Sequence, residues 1–141
     1  MTGPIIVGVD GSETAGRAAE AARDIAAALG AQLHVVSAFE GDRAEVIGAG
    51  SDTWIVSDAN TALGIAKMVA EKLSAPGVTI THTAARGKPA EALVKEAEVL
   101  DARMIVVGNR RMQGIGRVLG SVANTVAHTA PCDVYIVKTV D

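Results

Sequence analysis

Residues 105–122 read Ile-Val-Val-Gly-Asn-Arg-Arg-Met-Gln-Gly-Ile-Gly-Arg-Val-Leu-Gly-Ser-Val. An apolar run stops at Gly108, a basic and glycine-rich loop follows, and Gly120-Ser121 opens a helical pattern. This is the layout of an anion site. Backbone N–H groups free of bulky side chains meet a helix N-terminus, where unpaired donors and the macrodipole favour negative charge. The first apolar run, Ile5-Ile6-Val7-Gly8-Val9, likewise ends in a turn, Asp10-Gly11-Ser12. Side by side, the two strand ends would frame one crevice of nucleotide size.

Outward from these two strands the pattern alternates. Apolar residues at 15, 18, 19, 22, 25, 26 and 29 make a helical stripe, with capping groups at Ser12 and a stop at Gly30. Leu33 to Phe39 reads as a second strand. Residues 40–56, with Gly41, Gly48 and Gly50, read as a loop anchored at its end by Trp54-Ile55-Val56. A second stripe at 62, 65, 66, 69 and 73 is closed by Pro76-Gly77. Val78 to Thr83 alternates strictly, which predicts an edge strand with one wet face. Pro89 stands near the first position of a third helix, whose stripe is Ala90, Leu93, Val94, Ala97 and Leu100. Met104 to Val107 is continuously apolar and reads as a strand buried on both faces. A fourth helix from Gly120 carries Val122, Ala123, Val126 and Ala127, and Val134 to Val137 is the last strand.

Five strands alternating with four helices force parallel pairing with right-handed crossovers. The reading is therefore α/β, a single doubly wound, Rossmann-like domain over residues 1–141. Such sheets take their ligand beyond the carboxyl ends of the strands, where the strand order reverses. Tyr135-Ile136-Val137 is apolar on both faces; at a sheet edge it needs cover, and a symmetric copy of itself is the economical one. The expectation is a homodimer through strand 134–137.

Composition narrows the classes. Of 141 residues, 49 % are hydrophobic and 2 % aromatic, so the core must be aliphatic and alanine-rich. A net charge of −3 and the scarcity of aromatics argue against nucleic-acid and membrane partners. Cys132 is the single cysteine. It excludes an intrachain disulfide and a Cys-type zinc site, and reads as a buried strand residue. No basic segment leads into an apolar stretch near residue 1, and no 18-residue apolar run occurs; the expectation is a soluble, cytoplasmic protein.

Two phosphate motifs fail. No glycine is followed by Lys-Ser or Lys-Thr in P-loop register, and the near match Gly114-Ile115-Gly116 to the dinucleotide fingerprint has Leu119 in place of its last glycine. What the chain resembles is the universal stress protein family, over essentially its whole length. The resemblance rests on Ile5 to Ser12, Leu33-His34-Val35-Val36, Gly87-Lys88-Pro89-Ala90, Val106 to Arg110, Leu119 to Val122, and Ala130 to Val137. It implies a five-stranded parallel sheet in the order 3-2-1-4-5, flanked by four helices, and dimers through the last strand. For one branch of the family it implies an adenine nucleotide, usually ATP, with Mg2+ only as a companion of the nucleotide. The residues it assigns to that ligand are Gly8, Asp10, Val35, Val107, Gly108, Arg110, Arg111, Gly120, Ser121 and Val122. Asp10 would lie near the adenosine end and Val35 against the base edge.

The nucleotide-binding branch has Gly-x-x-Gly, nine residues, then Gly-Ser or Gly-Thr. Gly108 matches the first glycine and Gly120-Ser121 the last pair. Arg111 stands where the second glycine belongs, and the loop is one residue short. Two readings stay open: Arg111 fills the phosphate pocket, or Arg110, Arg111 or Arg117 pairs with phosphate directly. Plainer roles also stand beside the ligand roles. Asp10 could simply cap the first helix, Ser121 the fourth, and Gly8 could serve close packing. His34 reads as a packed or hydrogen-bonded histidine, and His82 and His128 as surface residues. No His-x-x-x-His spacing supports a metal site.

Nothing supplies an activated water or a placed general base, so the expectation is a binding protein and not an enzyme. The reading is a stress-response protein that holds an adenine nucleotide as a regulatory ligand. The alternative is a nucleotide-free dimeric interaction protein with a blocked phosphate site. A nucleotidyl transferase would want a His-x-Gly-His signature near the first strand, which Val9-Asp10-Gly11-Ser12 lacks.

Overall fold

The structure is a computed structural model that describes residues 3–41, 44–47, 54–109 and 120–139. The elements in chain order are β1 (Ile5–Gly8), α1 (Glu13–Leu29), β2 (Leu33–Phe39), β3 (Ala44–Ile47), β4 (Trp54–Ser57) and α2 (Asp58–Lys72). They continue with β5 (Ile80–Arg86), α3 (Pro89–Leu100), β6 (Met104–Gly108), α4 (Ser121–Thr129) and β7 (Asp133–Val137). The main sheet is parallel, in the order β5-β2-β1-β6-β7. Counting only its own five strands, that is 3-2-1-4-5.

The side-chain parity of the strands splits the interior in two. Ile5, Val7, Val9, Leu33, Val35 and Val106 face α1 and α2. Ile6, Val36, Ile105 and Val107 face α3 and α4. On the first face α1 presents Ala18, Ala19, Ala22 and Ala26, all fully buried. Side chains this small let the helix axis lie close on the sheet, which suits an aliphatic core with few aromatics.

Three elements differ from the sequence reading. Residues 40–56 are not wholly a loop, because β3 and β4 pair antiparallel with Ile47 opposite Trp54 and Ala44 opposite Ser57. The edge strand β5 starts at Ile80 and runs on to Arg86, since it pairs with β2 along its whole length, from Leu33–Ile80 to Phe39–Arg86. Cys132 lies just before β7 and is half-buried, with its thiol pKa pushed up by burial and by Asp133. Pro89 takes the first turn of α3 as expected. β7 forms an edge of the main sheet, with Tyr135 49 % exposed. No described helix is long and apolar enough to cross a membrane.

Candidate functional site

The carboxyl ends of β1, β2 and β6 open on one cleft. Strand order reverses here: the chain leaves β1 for β2 on one side, while β6 packs on the other. The walls are Gly8, Val9 and Asp10 after β1, Val36 and Ala38 on β2, and Val107 and Gly108 on β6. Thr14 and Ala15 of α1, Pro89 and Leu93 of α3, Val122 of α4 and Thr139 complete it. The cleft measures about 130 Å³, below the roughly 300–1,000 Å³ usual for drug-sized ligands. The lining is mainly apolar, with Asp10, Thr14 and Thr139 as the polar side chains.

The turn after β1 is built from its own side chains. Asp10 Oδ1 accepts the N–H of Ser12 at 2.9 Å. Ser12 is the N-cap of α1, its Oγ accepting from the N–H of Ala15 at 3.2 Å. The capping role considered for Asp10 therefore belongs to Ser12, and Asp10 shapes the turn that delivers it. At the other strand, Gly120 is the N-cap of α4 and Ser121 its first helical residue, so the cap role considered for Ser121 falls to Gly120.

Gly8, Asp10, Val107, Gly108 and Val122 thus converge on the cleft. Gly120 is buried at the start of α4 and Ser121 is exposed; neither is among the lining residues. Val35 is also absent from the lining. It is fully buried among the residues facing α1 and α2, while Val36, one position on, faces the cleft. A one-residue step along a strand changes the face. Arg110 and Arg111 lie outside the described residues, as does Arg117. Thr139, Pro89 and Leu93 were not singled out as site residues; Pro89 and Leu93 were readable only as helix residues, and Thr139 carries no sequence signal at all.

A second polar cluster lies toward the opposite end of β2. His34 Nδ1 is 2.6 Å from Thr81 Oγ1, and its Nε2 is 3.5 Å from Glu96 Oε2. With the proton assigned to Nε2, the Thr81 hydroxyl donates to Nδ1 and the ring faces the carboxylate. The histidine is a partnered one, as the sequence suggested. Burial lowers its pKa below the ordinary 6.5, with His82 adding to the effect and Glu96 opposing it. A lowered folded-state value means that the unfolded chain binds the proton more readily. The stabilising contribution is therefore fully present above pH 6.5 and is lost as pH falls through the lowered value. Thermal midpoints measured between pH 7.5 and 5 should fall with pH, and His34→Gln should flatten that slope. An unchanged slope in the variant would place the pH dependence elsewhere. Among the described residues, no group of three or more His, Cys, Asp or Glu is placed to hold a metal ion.

Comparison with known proteins gives this geometry a context. The model of the universal stress protein family matches residues 1–138. A universal stress protein of Thermus aquaticus is 34 % identical over 137 residues, covering 95 % of this chain and 97 % of the relative. One of Mycobacterium tuberculosis is 33 % identical over 96 % of this chain but only 45 % of its own length, so the chain spans about half of that relative. Among solved structures, a universal stress protein in complex with cAMP superimposes with a TM-score of 0.76 at 32 % identity, with 98 % of both chains covered. A universal stress protein from Archaeoglobus fulgidus in complex with dAMP gives a TM-score of 0.62 at 26 % identity, with 96 % and 97 % covered.

Proposed function

The chain belongs to the universal stress protein family, and we propose that it holds an adenine nucleotide as a regulatory ligand, without hydrolysing it efficiently. The observation that carries this reading is the cleft itself. Gly8, Asp10, Val107, Gly108 and Val122, all read from the sequence as nucleotide residues, line one cavity at the switch point of the sheet. An apolar wall of Val36, Ala38, Pro89 and Leu93 suits the faces of a purine. The start of α4 suits an anion. The complexes of two structural relatives with cAMP and dAMP support the same ligand class.

ATP is the form that the family resemblance favours. A single-phosphate nucleotide is the second reading. It is favoured by the cAMP and dAMP complexes of the relatives. Against turnover, the lining holds one carboxylate among the described residues, Asp10, and that group already accepts a backbone hydrogen bond. The edge position of β7 and the exposure of Tyr135 support a homodimer paired through this strand.

Denaturing the purified protein and analysing the supernatant should release an adenine nucleotide. Calorimetric titration of the stripped protein with ATP, ADP and cyclic AMP should show saturable binding, and light scattering a mass of two chains. No released nucleotide and no heat up to millimolar ligand, about −4 kcal/mol of binding free energy, overturns the nucleotide reading in favour of a nucleotide-free interaction protein.

A further inference from the structure

The segment after β7 is tied to the rim of the cleft. Thr139, 1 % exposed, donates its N–H at 2.7 Å and its hydroxyl at 3.1 Å to a single oxygen, Asn109 Oδ1. Its carbonyl accepts from Arg17 Nη1 of α1 at 2.9 Å. Asn109 follows Gly108 directly, and its own N–H donates to the carbonyl of Val137 on β7 at 2.9 Å. Asn109 is itself buried. One side-chain oxygen thus fixes both the backbone and the side chain of Thr139.

Thr139 is also part of the cleft wall. Its methyl and hydroxyl stand so close to Gly108 that a Cβ at 108 would lie 3.1 Å from each. At this packing density the two residues cannot move independently.

We propose that Asn109 and Thr139 are positioning residues for the nucleotide cleft, which hold the wall beside Gly108 and join the cleft to the edge strand β7. The ligand in this statement rests on the nucleotide reading above; the mechanical join rests on the geometry alone. Asn109 does not line the cleft and acts through Thr139, which stands in its wall. Their part is to keep the end of β6 at the separation from α1 that leaves the cleft open.

The test uses hydrogen exchange on the full chain without ligand, followed by titration with cyclic AMP and ATP. Four proteins are compared: the parent, Thr139→Val, Thr139→Ser and Asn109→Ala. Valine keeps the size of threonine and removes the hydroxyl. It should speed exchange about tenfold at residues 106–109 as well as at 133–139, and weaken nucleotide binding about tenfold, or about 1.4 kcal/mol. Serine should restore both, which a role in bulk packing alone would not produce. Asn109→Ala should be at least as severe; should it unfold, the threonine pair still decides. Faster exchange confined to 138–139, failure of serine to restore, or unchanged affinity in Thr139→Val where the parent binds, overturns the proposal. A parent that binds no nucleotide overturns the proposed function instead, and the exchange pattern alone then judges the join.

Discussion

Gly8→Val should abolish nucleotide binding, with affinity lowered at least about a hundredfold, or about 2.7 kcal/mol. Gly8 ends β1 and lines the cleft. A Cβ there would stand 2.9 and 3.1 Å from the two terminal carbons of Leu93, which lines the same cleft from α3. The added methyls must therefore either fill the ligand's space or drive the leucine into it. The atoms displaced are the far end of a flexible side chain, so the fold should survive at a cost of about 1–3 kcal/mol. Calorimetric titration with cyclic AMP and ATP, beside a thermal melt, separates the two effects. Adding Leu93→Ala should recover part of the affinity, because residues in contact couple. Normal binding by Gly8→Val would place the ligand away from the end of β1.

The largest loss of stability should follow Ile105→Ala. Ile105 is fully buried at the centre of the sheet, opposite Ile6 on β1 and Val134 on β7. It faces α3 and α4, in a cluster with Leu93, Ala97, Ala123 and Val126. Truncating a buried isoleucine costs about 2–5 kcal/mol, depending on how far the site can collapse. Here several neighbours are alanines, which have no reach to fill a void, so the upper half of that range is expected. The melting temperature should fall by about 10 °C, at a few degrees per kcal/mol for a domain of this size. Val99→Ala, at a residue 70 % exposed, should stay within about 0.5 kcal/mol and serves as the control. Equal melting of the two variants would mean that this cluster is not the cooperative core.

The order of the main elements was legible because each carries a clear period. The stripe at 15–29 has a helical period, the short run at 104–107 is marked as a strand by its length and β-branched residues, and the alternation of such elements dictates a parallel sheet. Gly108 and Asp10 were legible too, since an apolar run that stops at a glycine or a turn marks the rim where such sheets bind, while Gly8 was marked by the family resemblance. The β3–β4 hairpin was not. Its strands are four residues each, too short for a period to stand out among the surrounding glycines. The polar joins were illegible for another reason. His34 meets Glu96 and Asn109 meets Thr139 only because strands and helices distant in sequence are stacked by the fold. The face on which Val35 or Val36 lies depends on one step of strand parity, which burial decides and the residue types, both valine, do not.

The sheet leaves this small chain with two interiors that share no residue, one under α1 and α2 and the other under α3 and α4. Substitutions on α1 or α2 that are buried in one should add to those on α3 or α4 buried in the other, as distant sites do, whereas neighbours on a shared strand should couple. Repacking of the alanines against one face of the sheet need not be matched on the other. The rim is the exception. Thr14 and Ala15 of α1 come to it from one side of the sheet and Pro89 and Leu93 of α3 from the other, so the site is the seam at which the two halves must agree.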